Sequence, residues 1–271
     1  MKNCDFYRHR KIVDMDQDFA ISTRSIPHPF RVHALDEPRA SAAGVELLCI
    51  TFDFTMNRDE QAFAVLSDEE RARAGRFVRH EDAIRFATTR VVLRHALAQC
   101  YGLSPAEVRL ERDAAGRPHV IPPDGHLRTP LDFNVSHSGG HALVALAAGR
   151  RVGVDIEARR ADLDWQRLAA MVFGPHDEAH VSKMPTHQRL DAFYDVWTAK
   201  EALLKALGSG VVDGLTWFSV LGGKREAPYV QLLDPRTDNP SDLTRFDAAW
   251  CTAPLGYAAC VAWSRCMFIV N

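Results

Sequence analysis

Between residues 152 and 157 the chain reads Val-Gly-Val-Asp-Ile-Glu, and about forty residues later Trp197-Thr-Ala-Lys-Glu-Ala-Leu-Leu-Lys-Ala-Leu207. The first stretch alternates apolar residues with Gly153, Asp155 and Glu157, the period-2 pattern of a strand with both carboxylates on one face. The second is dominated by Ala, Leu and Lys with no breaker, so it is helical and sets Trp197, Glu201 and Lys205 along one stripe at i, i+4 and i+8. A helix packed across that strand would bring Asp155, Glu157 and Glu201 together. Hard oxygen ligands in that number suit Mg²⁺, which keeps waters and commonly bridges substrate phosphates. Lys205, one turn on from Glu201, adds a point charge for phosphate. The arrangement predicts a metal-assisted phosphate site.

Length and composition bound what surrounds this pair. The 271 residues, 46% hydrophobic, suffice for one large domain or two ordinary ones with a proper core. A net charge of −2 argues against binding nucleic acid through overall charge, so any basic site must be local. No apolar run approaches the roughly 18 residues of a membrane span, and residues 1–20 show no signal-peptide core, so a cytoplasmic protein is expected. Six scattered cysteines never form a C-x-x-C pair, four of them sit in apolar runs that suit a small buried thiol, and no zinc site is expected from the twelve histidines.

Taken in order, residues 1–43 carry no sustained periodicity and are expected to be an extension draped on or trailing from the fold. Val45 to Met56 reads as the strand opening the first sheet. Ser67 and Glu70 form a capping box that starts a helix bearing Arg71, Arg73, Arg76 and Arg79, and a second helix over His80 to Cys100 adds Arg85, Arg90 and Arg94. Arg85, Arg90 and Arg94 lie in the more apolar context and are the better candidates for holding an anion. Val108 to Arg112 and Val120-Ile121 flank a turn with Arg117 at its tip, where a side chain can reach a ligand. Leu131 to Gly140 reads as a hairpin whose turn carries Ser136, His137, Ser138 and two glycines, suited to phosphate or simply a polar tip. After Gly149 a second half starts with the carboxylate strand. Amphipathic Asp162 to Phe173 stops at Gly174-Pro175, the long helix spans His187 to Leu207, and strands near 217–220, 229–233, 246–251 and 257–263 would form the second sheet.

Thr88-Thr-Arg-Val-Val-Leu-Arg-His-Ala-Leu97 lines up with Thr198-Ala-Lys-Glu-Ala-Leu-Leu-Lys-Ala-Leu207. The repeat predicts an α+β fold of two similar halves, 44–149 and 150–271, each a long helix on a small sheet, related by a pseudo-twofold axis. A site between them would face arginines toward carboxylates, and such interfaces favour pockets.

In Phe133-Asn-Val-Ser-His-Ser138, Gly153-Val-Asp-Ile-Glu157 and Trp197-Thr-Ala-Lys-Glu-Ala-Leu-Leu-Lys205, in that order and spacing, the chain resembles the 4′-phosphopantetheinyl transferases of the larger, Sfp (surfactin-synthetase-activating) type. The resemblance covers about Val45 to Trp263. It implies transfer of phosphopantetheine from coenzyme A to a serine of an apo acyl or peptidyl carrier protein, leaving adenosine 3′,5′-bisphosphate. It assigns Asp155, Glu157 and Glu201 to Mg²⁺, and Lys205, His137 and Ser136 to coenzyme A phosphates. Arg73, Arg85 and Arg117 occupy places where the family holds basic residues near the 3′-phosphate and pyrophosphate, while one basic position of the family falls on Glu70.

For the carrier serine the base would be Glu201, or a metal-bound water held by Glu157. A non-catalytic module of the same fold that binds coenzyme A or carrier proteins is the alternative, as is a metal-dependent phosphotransferase for another nucleotide. A monomer is expected, because one chain supplies both halves of the cleft.

Overall fold

The computed structural model describes residues 21–58, 61–124, 129–208, 215–221, 228, 231–232 and 240–266. Arg31–Ala34 (β1) and Pro38–Ala42 (α1) precede Val45–Thr51 (β2), so part of the stretch expected as an extension is built into the fold. β1 pairs antiparallel with β2, and Ile21, Ile26 and Phe30 are buried in the core. Residues 1–20 lie outside the described residues. Asp68–Gly75 (α2) opens with the expected capping box, the Ser67 hydroxyl accepting from Glu70 N–H and the Glu70 carboxylate accepting from Ser67 N–H. His80–Tyr101 (α3) follows, then a hairpin of Arg109–Arg112 (β3) and Pro118–Ile121 (β4).

Leu131–Ser138 (β5) and His141–Ala148 (β6) complete the first sheet in the order β1-β2-β6-β5. The expected hairpin turn is shorter than its residues suggested. Ser136, His137 and Ser138 belong to β5, and Gly139-Gly140 alone turns the chain. Val152–Ala158 (β7) leads into Trp165–Val172 (α4), Pro175–Val181 (α5) and Thr186–Leu207 (α6). Phe218–Ser219 (β8) and Gln231–Leu232 (β9) form a ribbon of their own, while Phe246–Trp250 (β10) and Tyr257–Ser264 (β11) join β7 in the order β10-β11-β7. The second sheet is thus built from the carboxylate strand and the last two strands, not from the four late strands alone. β11, all but its first residue buried, is the central strand that the carboxylate strand needs as a partner.

The molecule is layered helix, sheet, sheet, helix. On β2 and β6 one set of alternating residues (Leu48, Ile50, Val144, Leu146) packs in the core with α3. The other set (Leu47, Cys49, Leu143, Ala145) meets Val152, Val154 and Ile156 of β7 and Val261 of β11 in a core between the sheets. The opposite face of the second sheet, with Ala258, Cys260 and Ala262, packs with α6. α3 and α6 each run for 22 residues and stop at a glycine, Gly102 and Gly208.

The two sheets also meet edge to edge, and the join is made by side chains. β5 and β7 run in the same direction at a constant offset of 20 residues. Val152 N–H donates to Asp132 Oδ2 (2.8 Å), Val154 N–H to Asn134 Oδ1 (3.0 Å) and Ala158 N–H to Ser138 Oγ (3.1 Å). Three backbone donors on this edge of β7 are therefore met by oxygens of every polar residue but one on the facing side of β5, which covers the β7 edge. The remaining residue, Ser136, gives its hydroxyl to Asp155 Oδ1 at 2.8 Å, and Ser138 likewise donates to Glu157 Oε2 at 2.9 Å. This ladder sets the position of each acid relative to β5.

Candidate functional site

Gly153 brings the helix to these acids. A Cβ at that position would lie 2.1 Å from the Ala202 carbonyl oxygen and 2.4 Å from Ala206 N, so only glycine lets α6 lie this close to β7. Because Gly153, Asp155 and Glu157 share a face, the face that touches α6 is the carboxylate face, as the period-2 reading requires. Glu201 and Lys205 border the same contact, and Lys205 Nζ donates to Asp155 Oδ1 at 2.6 Å and to Ser136 Oγ at 3.2 Å. Trp197, on the same helical stripe, packs into the core against Phe193 with ring centroids 5.4 Å apart.

The charges register the crowding. Burial, reinforced by the negative charges of Asp155 and Glu201, pushes the Glu157 carboxyl up to about 7, against the lowering effects of Ser138 and Lys205. Burial also raises Glu201, with Lys205 opposing and Asp155 adding to the rise. Asp155 is 2% exposed, and its Oδ2 is buried without a hydrogen-bond partner. Among the described residues, no three His, Cys, Asp or Glu side chains stand ready-grouped as a metal cage. The Lys205 ammonium, not a ring of carboxylates, is the immediate neighbour of Asp155.

Around this centre the predicted phosphate residues divide. Ser136 is buried and joined to both Asp155 and Lys205. His137 is exposed at the end of β5, where local desolvation and the positive charges of Arg85 and Lys205 hold its imidazole below its usual pKa. Arg85 reaches across from α3, donating from Nε to Gly139 O at 2.9 Å while pairing with Asp82 at 2.7 Å and lying over the Phe54 ring at 4.8 Å. Arginine and imidazole thus come together at the β5–β6 turn.

Arg117 and two arginines of α3 are placed differently from the sequence expectation. The Arg117 side chain is 8% exposed: it pairs with Asp132 at 2.7 Å, donates to Val152 O at 2.7 Å, and also donates to the Lys205 carbonyl. It folds back from its turn to tie α6 to the ladder, so it does not stand free at a tip. Arg94, 3% exposed, is consumed by Glu70 at 2.7 Å and by the Pro105 and Val108 carbonyls, and Arg90 faces Glu70 at 3.4 Å. Arg73 lies over the Phe86 ring at 4.9 Å, where burial and the charges of Arg112 and Arg76 lower its pKa. Glu70 is thus an internal counter-charge as well as a cap.

The sequence reading missed Tyr257. Its Oη accepts from Gly140 N–H at 2.9 Å, and its ring meets the His141 ring edge-on at 4.8 Å. It missed the Asp132 and Asn134 rungs as well. Polar residues at every second position from 132 to 138 were the available signal, hidden by the assumption that the segment was already turning.

Residues 151–260 match the model of the 4′-phosphopantetheinyl transferase superfamily, and residues 54–150 match one described as 4′-phosphopantetheinyl transferase, N-terminal. A putative 4′-phosphopantetheinyl transferase of Synechocystis is 35% identical over 176 residues, covering 65% of this chain and 70% of that protein. The 4′-phosphopantetheinyl transferase HetI of Nostoc is 35% identical over 167 residues, 62% of this chain and 70% of its own. The 4′-phosphopantetheinyl transferase Sfp of Bacillus subtilis is 29% identical over 169 residues, 61% and 70% respectively. The two family matches together run from residue 54 to residue 260, taking in both long helices, β5, β6 and the acid-bearing β7, and the chain belongs to the 4′-phosphopantetheinyl transferase superfamily.

Proposed function

We propose that this chain transfers the 4′-phosphopantetheine group from coenzyme A to a serine hydroxyl of an apo acyl or peptidyl carrier protein, with Mg²⁺, releasing adenosine 3′,5′-bisphosphate. The observation that carries the reading is the shared cleft of Asp155, Glu157, Glu201 and Lys205, with Ser136 and His137 beside it. The residues fit a divalent cation. Asp155 Oδ2 is buried and unpartnered, and Glu157 is driven toward protonation first by burial and then by the charge of Asp155 and Glu201, which a dication would offset. Asp155, Glu157 and Glu201 would hold the ion, which when bound supplies Lewis acidity at a phosphoryl oxygen.

In this reading His137 and Arg85 orient the phosphates from the β5–β6 turn, and Lys205 offsets charge developing on the leaving group. Glu201, its carboxyl raised by burial, takes the proton of the carrier serine. The serine oxygen bonds to the β-phosphorus, and the bond from that phosphorus to the bridging oxygen breaks, its electron pair leaving with the bisphosphate. Because both walls of the cleft come from one chain, a monomer suffices. Halves bounded at residues 44–149 and 150–271 and a cytoplasmic location accompany the proposal. Among the described residues no helix is long and apolar enough to cross a membrane.

The test is to incubate the protein with Mg²⁺, coenzyme A and an apo carrier protein and to weigh the carrier. A gain of one phosphopantetheine group is expected. A carrier of unchanged mass, with coenzyme A still bound by the protein, would favour a binding module instead.

A further inference from the structure

The β5–β6 turn is gripped from two sides. From α3, Arg85 Nε holds the Gly139 carbonyl at 2.9 Å. From β11, the Tyr257 phenol oxygen accepts the Gly140 N–H at 2.9 Å. That oxygen is so close to the turn that a Cβ at Gly139, where φ is +52°, would come within 2.5 Å of it. The phenol is itself anchored. Its ring stands edge-on to His141, whose Nδ1 lies 3.2 Å from Thr51 Oγ1, and its backbone pairs with Ala158 at the end of the acid-bearing strand. Arg159, following that strand, donates to the Tyr257 carbonyl and pairs with Asp191 and Asp195 of α6. One side chain therefore connects the last strand, the end of β7 and the turn that presents His137 and Ser138.

We infer that Tyr257 is a positioning residue for phosphate binding: its phenol oxygen holds the Gly139-Gly140 turn so that His137, Arg85 and the Ser138–Glu157 bond stay in register. This rests on the proposed transferase reading for the identity of the ligand, but the clamp itself is testable without it.

Tyr257→Phe removes one oxygen and keeps the ring. Losing the acceptor of one amide, worth about 1 kcal/mol or roughly fivefold, should raise the KM for coenzyme A about three- to tenfold. The kcat should stay within about twofold, because Glu201 and Lys205 are not displaced, and the KM for the carrier should not move. Gly139→Ala, which drives a methyl into the phenol oxygen, should cost more in wild type than in the Tyr257→Phe background, a coupling that general loss of stability does not produce. Independently of catalysis, Tyr257→Phe should shift the ¹⁵N resonance of Gly140 and speed its amide hydrogen exchange relative to neighbouring β6 amides. An unchanged KM for coenzyme A in an active enzyme, additive costs in the double variant, or an unmoved Gly140 amide would each overturn the inference. If the wild-type protein shows no transfer, the transferase reading fails, while the Gly140 amide still decides for or against the clamp.

Discussion

Removing one rung of the β5–β7 ladder tests how the acids are held in place. Asn134→Ala deletes the Oδ1 that accepts Val154 N–H at 3.0 Å. Val154 is 0% exposed, so its amide gains no bulk water in return. A buried donor left without a partner costs about 1–3 kcal/mol, and two rungs, at Asp132 and Ser138, remain to limit relaxation. Taking about 2 kcal/mol, and roughly 2–4 °C per kcal/mol for a chain of this size, the melting midpoint should fall by about 4–8 °C. Thermal unfolding followed by circular dichroism at neutral pH measures this. The same rung lies between Asp132 and Ser136, so loosening it lets Ser136 drift from Asp155, and carrier labelling at a temperature where both proteins are folded should drop more than the folded fraction does. A midpoint within about 1 °C of wild type together with full labelling would mean that the ladder does not carry the junction, and the account of the site's register would fail.

Other expectations follow from the same geometry. Asp155→Ala and Glu201→Ala should each reduce labelling of an apo carrier by at least about 100-fold while leaving the far-ultraviolet spectrum intact, and full activity in either would remove it from the proposed site. Arg117→Ala should destabilise the fold by about 3 kcal/mol in urea titration, because it leaves the buried Asp132 carboxylate with only the Val152 amide and the more distant Arg151 and removes the donor to three carbonyls. A stable but weakly binding variant would return Arg117 to the role of a ligand arm at the tip of its turn. Glu157 carries a carboxyl raised from an ordinary 4.5 to about 7, so between those values this group holds a proton in the folded chain that it lacks in the unfolded one, and its contribution to stability falls as pH rises through that window. Without divalent ions the melting midpoint of the wild type relative to that of Glu157→Gln should therefore decline over that range, and added Mg²⁺ should flatten the decline. A difference that rises instead would show that burial and the neighbouring acids do not raise the Glu157 carboxyl.

What could be read from residue order was whatever local periodicity encodes. The alternation over Val152 to Glu157 identified a strand and the face its acids occupy, Ser67 and Glu70 announced a helix start, and Lys205 followed Glu201 at helical spacing. Where contacts depend on distant segments, the reading went astray. Nothing near Arg117 shows that its hairpin folds back onto the end of α6, and nothing near Tyr257 shows that it lies under a turn more than a hundred residues earlier in the chain. The polar positions of β5 were visible, but their purpose depends on a parallel edge twenty residues away. Arg94 sat in an apolar context for the opposite reason from the one expected: its charge is spent internally on Glu70.

The absent side chain at Gly153 has a consequence for acidity. A methyl there could be accommodated only by α6 moving outward, carrying Glu201 and Lys205 with it. The narrow, dehydrated seam would become a wider, wetter trough, and its glutamates would return toward ordinary carboxylic acids. The proton affinity of this cleft is thus governed by a position that has no ionisable group, and indeed no side chain, of its own.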